Sequence, residues 1–343
     1  MTTDSDLVSD VLSEYGALSR RALTSYLEQV AERDAVYRIA ADYPLRKGRS
    51  LRASLCIAAA RAFGASVEEA VRSAVSLELL HSAFLVHDDI EDESEERRGG
   101  PTLHNLVGVA SALNAGDALI MLALRPLLGN RSILGPLVAW QILEEAERMV
   151  RESVEGQAME LRWREQSSVS LTESDYLMMI LKKTCWYTTL YPTRVGALIG
   201  TRGNADLDQF ARFGFFLGAA FQIQDDLLNI VGDHDRYGKE IAGDLLEGKR
   251  TLLLIHTLRE LEPSARGRAL DLLRLPRRHK PAAEVAWLGQ AMRRVGSIDY
   301  ASQVAHAFAG AAAHEFSVCF RDAVPGRDRD FVEALSHWVL ERR

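Results

Sequence analysis

Two crowded clusters of carboxylates stand out in the chain, each at the end of an apolar stretch. The first begins at Asp88, and seven of the nine residues from Asp88 to Glu96 are acidic. A solvated helix face intersperses acids with bases, whereas like charges at this density repel unless a cation compensates them. Asp88 and Asp92 are four residues apart, so they share one helix face in a stripe with His81 and Leu85. Hard oxygen ligands stacked this way suit Mg²⁺, which binds through one or two carboxylates and keeps positions for water and phosphate. Arg97 and Arg98 follow at once, and two guanidiniums beside a metal site suit bidentate phosphate recognition.

The second cluster, Asp225 and Asp226, closes the apolar stretch Phe213–Gln224, with Asn229 four residues after Asp225. Lys239 and Lys249 lie beyond, in glycine-broken sequence able to close over a ligand. The two clusters belong to different helices. If those helices face each other, their acids could hold several Mg²⁺ ions around one diphosphate. Two similar acid pairs are hard to explain as surface decoration. Gly243–Lys249 reads GDLLEGK, close to a nucleotide phosphate loop, but Arg250 stands where Ser or Thr is needed and no strand signal precedes it.

The elements that must position these residues read as helices. Apolar residues recur at three- and four-residue spacing through Ser5–Ala31, Leu51–Phe63, Val67–Val86, Val107–Leu128, Ile133–Leu161, Ser174–Ile199, Leu207–Ile230 and Thr251–Leu261. Strand signals are weak. Breaks fall at Pro44–Gly48, Gly99–Pro101, Gly129–Gly135, Gly200–Gly203 and Gly232–Gly248. The basic stretch Leu273–Lys280 predicts an exposed, solvated loop. With 343 residues, 47% of them hydrophobic, the long apolar helices need one another for burial, which predicts one all-α domain over 1–343.

The formal net charge of −7 argues against general nucleic-acid binding. Anionic substrates remain compatible, because local basic residues or bound metal reverse the local field. Cys56, Cys185 and Cys319 are widely spaced and predict small buried residues in a reducing compartment. The opening MTTDSDLVSD lacks the basic start and apolar run of a signal peptide. No uncharged apolar stretch approaches the ~18 residues of a membrane span. A cytoplasmic protein without a membrane span is expected.

Several ordered blocks resemble the trans-isoprenyl diphosphate synthases, the polyprenyl synthetase family. They are HSAFLVHDDIEDESEERRGGPTLH from His81, AGDAL from Ala115, EGQAMEL from Glu155, FQIQDDLLN from Phe221 and GKEIAGDLLEGKRT from Gly238. The resemblance runs from about Tyr43 to about Thr251. It implies a helical bundle around a central cavity, Mg²⁺ dependence with three ions per site, and a homodimer. It also implies condensation of isopentenyl diphosphate with allylic diphosphates. Asp88 and Asp92 would bind two ions with Asp89 in support, and Asp225 the third with Asp226 nearby. Arg97, Lys183, Lys239 and Lys249 would hold the allylic diphosphate, and Thr184 and Gln222 would stand beside the developing cation. Arg52, His81 and Arg98 would hold isopentenyl diphosphate, with Arg49 where the family usually has lysine. Ala53 replaces the usual proline, and Asn229 the usual last acid of the second motif.

In this family, residues just before the first acid motif set product length. Ala83 leaves room for a growing chain, Phe84 could close the passage, and Leu79 or Leu80 could form a deeper floor. The expected product is geranylgeranyl diphosphate, C20. Farnesyl or longer polyprenyl synthases, a class I terpene cyclase and a non-catalytic partner subunit are the alternatives. A cyclase needs no second diphosphate site, and a non-catalytic subunit need not keep both acid motifs.

Overall fold

The computed structural model describes residues 3–46, 48–167, 170–232 and 242–342. Its first helix, α1 (Asp4–Ala31), opens on a capping box in which Thr3 and Asp6 satisfy each other's backbone donors. Two short helices, α2 (Ala35–Ala40) and α3 (Asp42–Leu45), lead to α4 (Leu51–Ala62), whose residues are almost all buried. A second capping box, Ser66 with Glu69, starts α5 (Val67–Glu91). This helix runs past the expected Val86, so Asp88 and Asp89 are helical and Asp92 is the C-terminal cap.

A small antiparallel hairpin follows, β1 (Glu96–Arg97) with β2 (Gly100–Pro101). Both turn residues, Arg98 and Gly99, have positive φ, at 52° and 75°. That pattern fits a tight two-residue hairpin turn, and it leaves Arg97 buried. The helix expected over Val107–Leu128 divides at Gly108, φ 84°, into α6 (Leu103–Val107) and α7 (Val109–Gly129). α8 (Arg131–Glu165) bends at Gly135. α7 packs along α5, and α8 packs against the next rod.

That rod, expected as a plain helix, has three parts. α9 (Glu173–Ile180) passes into a π-helical turn, Leu181–Leu190, which passes into α10 (Tyr191–Gly200). π turns are rare and concentrate at functional sites. α11 (Phe210–Val231) packs against the π turn and carries the second acid pair.

The remaining helices are α12 (Gly243–Glu247), α13 (Leu252–Glu260), α14 (Pro263–Arg274), α15 (Ala282–Arg294), α16 (Ser297–Cys319) and α17 (Arg327–Glu341). The stretch Leu273–Lys280 is not a solvated loop. It ends α14, forms a 3₁₀ turn at Arg277–His279, and buries Lys280 to 8% exposure. The cause is a set of backbone carbonyls that this lysine satisfies, described below. The hydrophobic core is one continuous cluster running from Val8 to Val339, and all three cysteines are free and buried in it. Apart from the hairpin, the described residues form no strand, as the weak strand signals predict.

Candidate active site

The two acid pairs come together across a cavity of about 370 Å³. α5 supplies His81, Leu85 and Asp88, the predicted stripe, and α11 supplies Phe221, Gln222, Asp225 and Asp226. Each pair divides in the same way. The first acid, Asp88 or Asp225, faces the cavity, while the second is buried and accepts a tyrosine hydroxyl. Tyr43 donates to Asp89 at 2.6 Å and Tyr176 donates to Asp226 at 2.7 Å. Burial pushes the Asp226 carboxyl well above the ordinary range for an aspartate. Arg97 grips Asp89 with Nε at 2.9 Å and with Nη2, and this pairing outweighs burial and raises its pKa further. Its Nη2 is 3.7 Å from Asp88.

Lysines bridge the acids. Lys183, on the π turn, donates to Asp88 at 3.2 Å and to Glu160 at 2.8 Å. Lys249 is 2.7 Å from both Asp92 and Glu247. Arg164 also pairs with Asp92, so Asp92 is buried under two cations and does not line the cavity. Thr184 donates to Gln222 at 2.8 Å, and Gln222 donates to Asp226 at 2.7 Å. A continuous chain of hydrogen bonds thus ties the π turn to α11. On its other side the π turn meets α8, and Gly156 makes that approach possible. A Cβ there would lie 2.2 Å from the Lys183 backbone nitrogen.

A second cationic cluster also lines the cavity. Guanidiniums of Arg52 and Arg98 stand 3.4 and 3.3 Å from His81 Nε2. A guanidinium only donates, so Nε2 accepts. Arg52 also donates to Thr188 at 2.9 Å and lies 4.4 Å over the Tyr187 ring. Glu78 sits beside Arg52 and Arg98, and burial raises its pKa. Arg49 lines the cavity near Trp338, and burial, then Arg342, lowers its pKa.

Of the length residues, none lines the cavity. Ala83 is fully buried, and at about 100° per residue it points roughly opposite to the His81–Asp88 stripe. Leu80 is buried as well. Phe84 comes nearest, packing edge-on against Tyr187 at 5.6 Å, and Tyr187 itself lines the cavity. Lys239 lies outside the described residues. Asn229 accepts the Asp244 backbone N–H at 3.1 Å, so its amide secures the turn that brings Asp244 to the cavity wall.

Sequence reasoning missed several residues here. Glu160 sits in the EGQAMEL block but was given no role. Tyr43, Tyr176 and Arg164 carry no motif. Arg342 is the most distant: it pairs with Asp225 at 2.9 Å and lies 3.9 Å over the Phe221 ring. No local pattern near α17 could have flagged it.

The acids suit a hard divalent ion in donor chemistry. Among the described residues, no three His, Cys, Asp or Glu side chains converge to enclose a metal by themselves. Mg²⁺ takes one or two carboxylates and completes its shell with water and phosphate, a donor set that Asp88 and Asp225 on the cavity wall fit.

Comparison with known proteins gives the same direction. The polyprenyl synthetase family model matches residues 34–292. The chain is 31% identical over 349 residues to a geranylgeranyl pyrophosphate synthase of Geoglobus acetivorans, covering 98% of this chain and 99% of that protein. It is also 31% identical over 299 residues to a (2E,6E)-farnesyl diphosphate synthase of Mycobacterium bovis, covering 86% and 80%. The crystal structure of a geranylgeranyl pyrophosphate synthetase from Pyrococcus horikoshii superposes with a TM-score of 0.85 at 28% identity, covering 98% of this chain and 99% of that one. With the motifs, the helical fold and a full-length relative in agreement, the chain belongs to the polyprenyl synthetase family, the isoprenyl diphosphate synthases.

Proposed function

We propose that the chain is a Mg²⁺-dependent trans-prenyltransferase that joins isopentenyl diphosphate to allylic diphosphates, with geranylgeranyl diphosphate as its main product. One observation carries this reading: a single cavity is lined by two cationic groups with different partners, one paired with acids and one gathered around His81, together with apolar side chains. Lys183 and Lys249 pair with acids, and Arg52 and Arg98 gather at His81 with Arg49 also on the wall. Leu85, Met179, Ile180, Tyr187 and Phe221 supply apolar surface. An enzyme that ionises one diphosphate needs only the first group, whereas joining two diphosphates needs both.

Mg²⁺ held by Asp88, Asp92 and Asp225, three ions by family likeness, would draw negative charge from the departing diphosphate. Lys183, Lys249 and Arg97 add positive charge to the same leaving group. Asp92, now paired with Lys249 and Arg164, would serve as a ligand with those two cations directed to phosphate instead. Arg52, His81 and Arg98 orient isopentenyl diphosphate so that its double bond meets the allylic cation. Thr184 and Gln222 stand beside that cation. Loss of a proton, with the released diphosphate as base, completes the five-carbon extension. The apolar wall excludes water from the cation.

The C20 product is supported by likeness to geranylgeranyl synthases, while a farnesyl synthase is equally similar in identity. A second copy of the chain is proposed to cover the exposed apolar residues of α7 and α8, among them Leu113, Met121, Leu128, Leu137 and Trp140. The deciding experiment is incubation with Mg²⁺, isopentenyl diphosphate and each allylic diphosphate, followed by product chromatography. A C20 product lost on chelation supports the proposal. Full activity in chelator would overturn the metal role, and a product that stops at C15 would overturn the length.

A further inference from the structure

Lys249 owes its place to a part of the chain far from either acid motif. It follows α12 and Gly248, whose φ of +77° ends that helix sharply. The last carbonyls of a helix lack intrahelical partners and carry partial negative charge. Here Lys280 fills that role, donating to Leu245 O at 2.9 Å and Leu246 O at 2.7 Å. A Cβ at Gly248 would come within 3.2 Å of the Lys280 ammonium, so the glycine leaves that lysine its seat.

Arg277 works on the next residue. It donates to Glu247 Oε1 at 3.0 Å, while Lys249 sits 2.7 Å from Glu247 Oε2. Glu247 is therefore clamped from one side by Arg277 and holds Lys249 on the other. The Lys249 ammonium is left with Asp92 as its second partner, at the edge of the diphosphate side. Arg250 donates to Gly248 O at 2.5 Å, tightening the same turn.

We propose that Arg277 and Lys280 are positioning residues for Lys249: they fix Glu247 and the α12–Gly248 turn so that the ammonium meets the substrate's diphosphate. The inference rests on the reading of Lys249 as a diphosphate ligand. A purely structural staple would lower stability without acting through Lys249, and a double-mutant cycle separates the two.

The test is calorimetric binding of inorganic diphosphate with Mg²⁺ to the full chain. Wild type is compared with Lys249→Ala, Lys280→Met, Arg277→Gln and each of the last two combined with Lys249→Ala. Lys249→Ala should weaken binding about tenfold or more, the size of one lost charge-assisted hydrogen bond. Lys280→Met and Arg277→Gln should each weaken it severalfold, with no further loss when Lys249 is already Ala. Multiplied effects in the double variants, or unchanged affinity in folded single variants, would overturn the proposal. If Lys280→Met fails to fold, the Arg277→Gln cycle carries the same decision. Turnover of the wild type with both prenyl substrates tests the functional reading separately. An inactive wild type with the non-additive binding pattern would remove that reading and leave the positioning role standing.

Discussion

Replacing Asp88 and Asp89 in turn separates two roles that adjacent carboxylates play. Asp88 faces the cavity with 22% of its side chain exposed, and its removal takes away a proposed metal ligand rather than core contacts. Asp88→Asn should lower turnover by roughly a thousandfold, about 4 kcal/mol of barrier, with little change in the unfolding midpoint. Asp89 is the buried partner of Arg97 and Tyr43. Asp89→Asn should cost about 3–5 kcal/mol of stability, the usual penalty for stranding a buried charge. Chemical denaturation of both variants checks the contrast, and equal stability losses would refute it. His81→Ala should raise KM for isopentenyl diphosphate more than for the allylic partner, because Nε2 is held between Arg52 and Arg98. Equal changes in both constants would point to a general packing role. Residue by residue, helical periodicity made the His81–Leu85–Asp88 face legible. It could not tell that Asp92, as the helix cap, would lie under Lys249 and Arg164. Nor could it reach Arg342, because contacts between sequence-distant residues leave no local pattern.

At the scale of elements, α8 and the π turn meet through Gly156. Gly156→Ala should destabilise the protein by about 1–3 kcal/mol or more, as overpacking against backbone leaves nothing soft to yield. Activity should fall with it, since Lys183 and Glu160 meet across the same contact. A wild-type thermal midpoint and rate would show that the two elements can move apart freely. Lys280 gives a pH test. Burial, with Arg250 and Arg164 next in effect, brings its pKa down from 10.5 to about 8, partly offset by Glu247. The unfolded chain keeps that proton to higher pH, so this group makes stability rise with pH between about 8 and 10.5. Lys280→Met should lose that rise. Identical pH slopes for variant and wild type would remove the argument. Basic composition alone suggested a solvated loop at Leu273–Lys280, because sequence does not reveal which carbonyls lack partners. The π turn was equally hidden, since one widened turn barely disturbs an apolar period of 3.6.

For the whole molecule, the all-helical architecture was legible because apolar spacing and the absence of strand signals agreed over most of the chain. The helices after Leu261 were legible only as a compatible tail. α7 is long and apolar enough to cross a membrane by length and composition, with 33% of its apolar window buried. Its buried stripe, including Ala112, Ala115 and Leu119, packs on α5, which accounts for about a third of that character. The exposed part is the face proposed for a second copy. Trp140→Glu combined with Leu137→Glu should convert a dimer to a monomer in sedimentation, with the helical circular dichroism kept. A mass unchanged from that of the wild type would place the contact elsewhere. The π turn also absorbs a residue within its rod. Deleting one residue between Cys185 and Leu190 would let the rod close to ordinary helical pitch, its two halves keeping their facing while the widened backbone that carries Lys183 and Thr184 is lost. Both halves could stay helical while Lys183 and Thr184 left the cavity. A lineage that lost this one residue would keep its architecture and forfeit its chemistry, and its descendants would align to this chain with a single-residue gap at the place where the enzyme went silent.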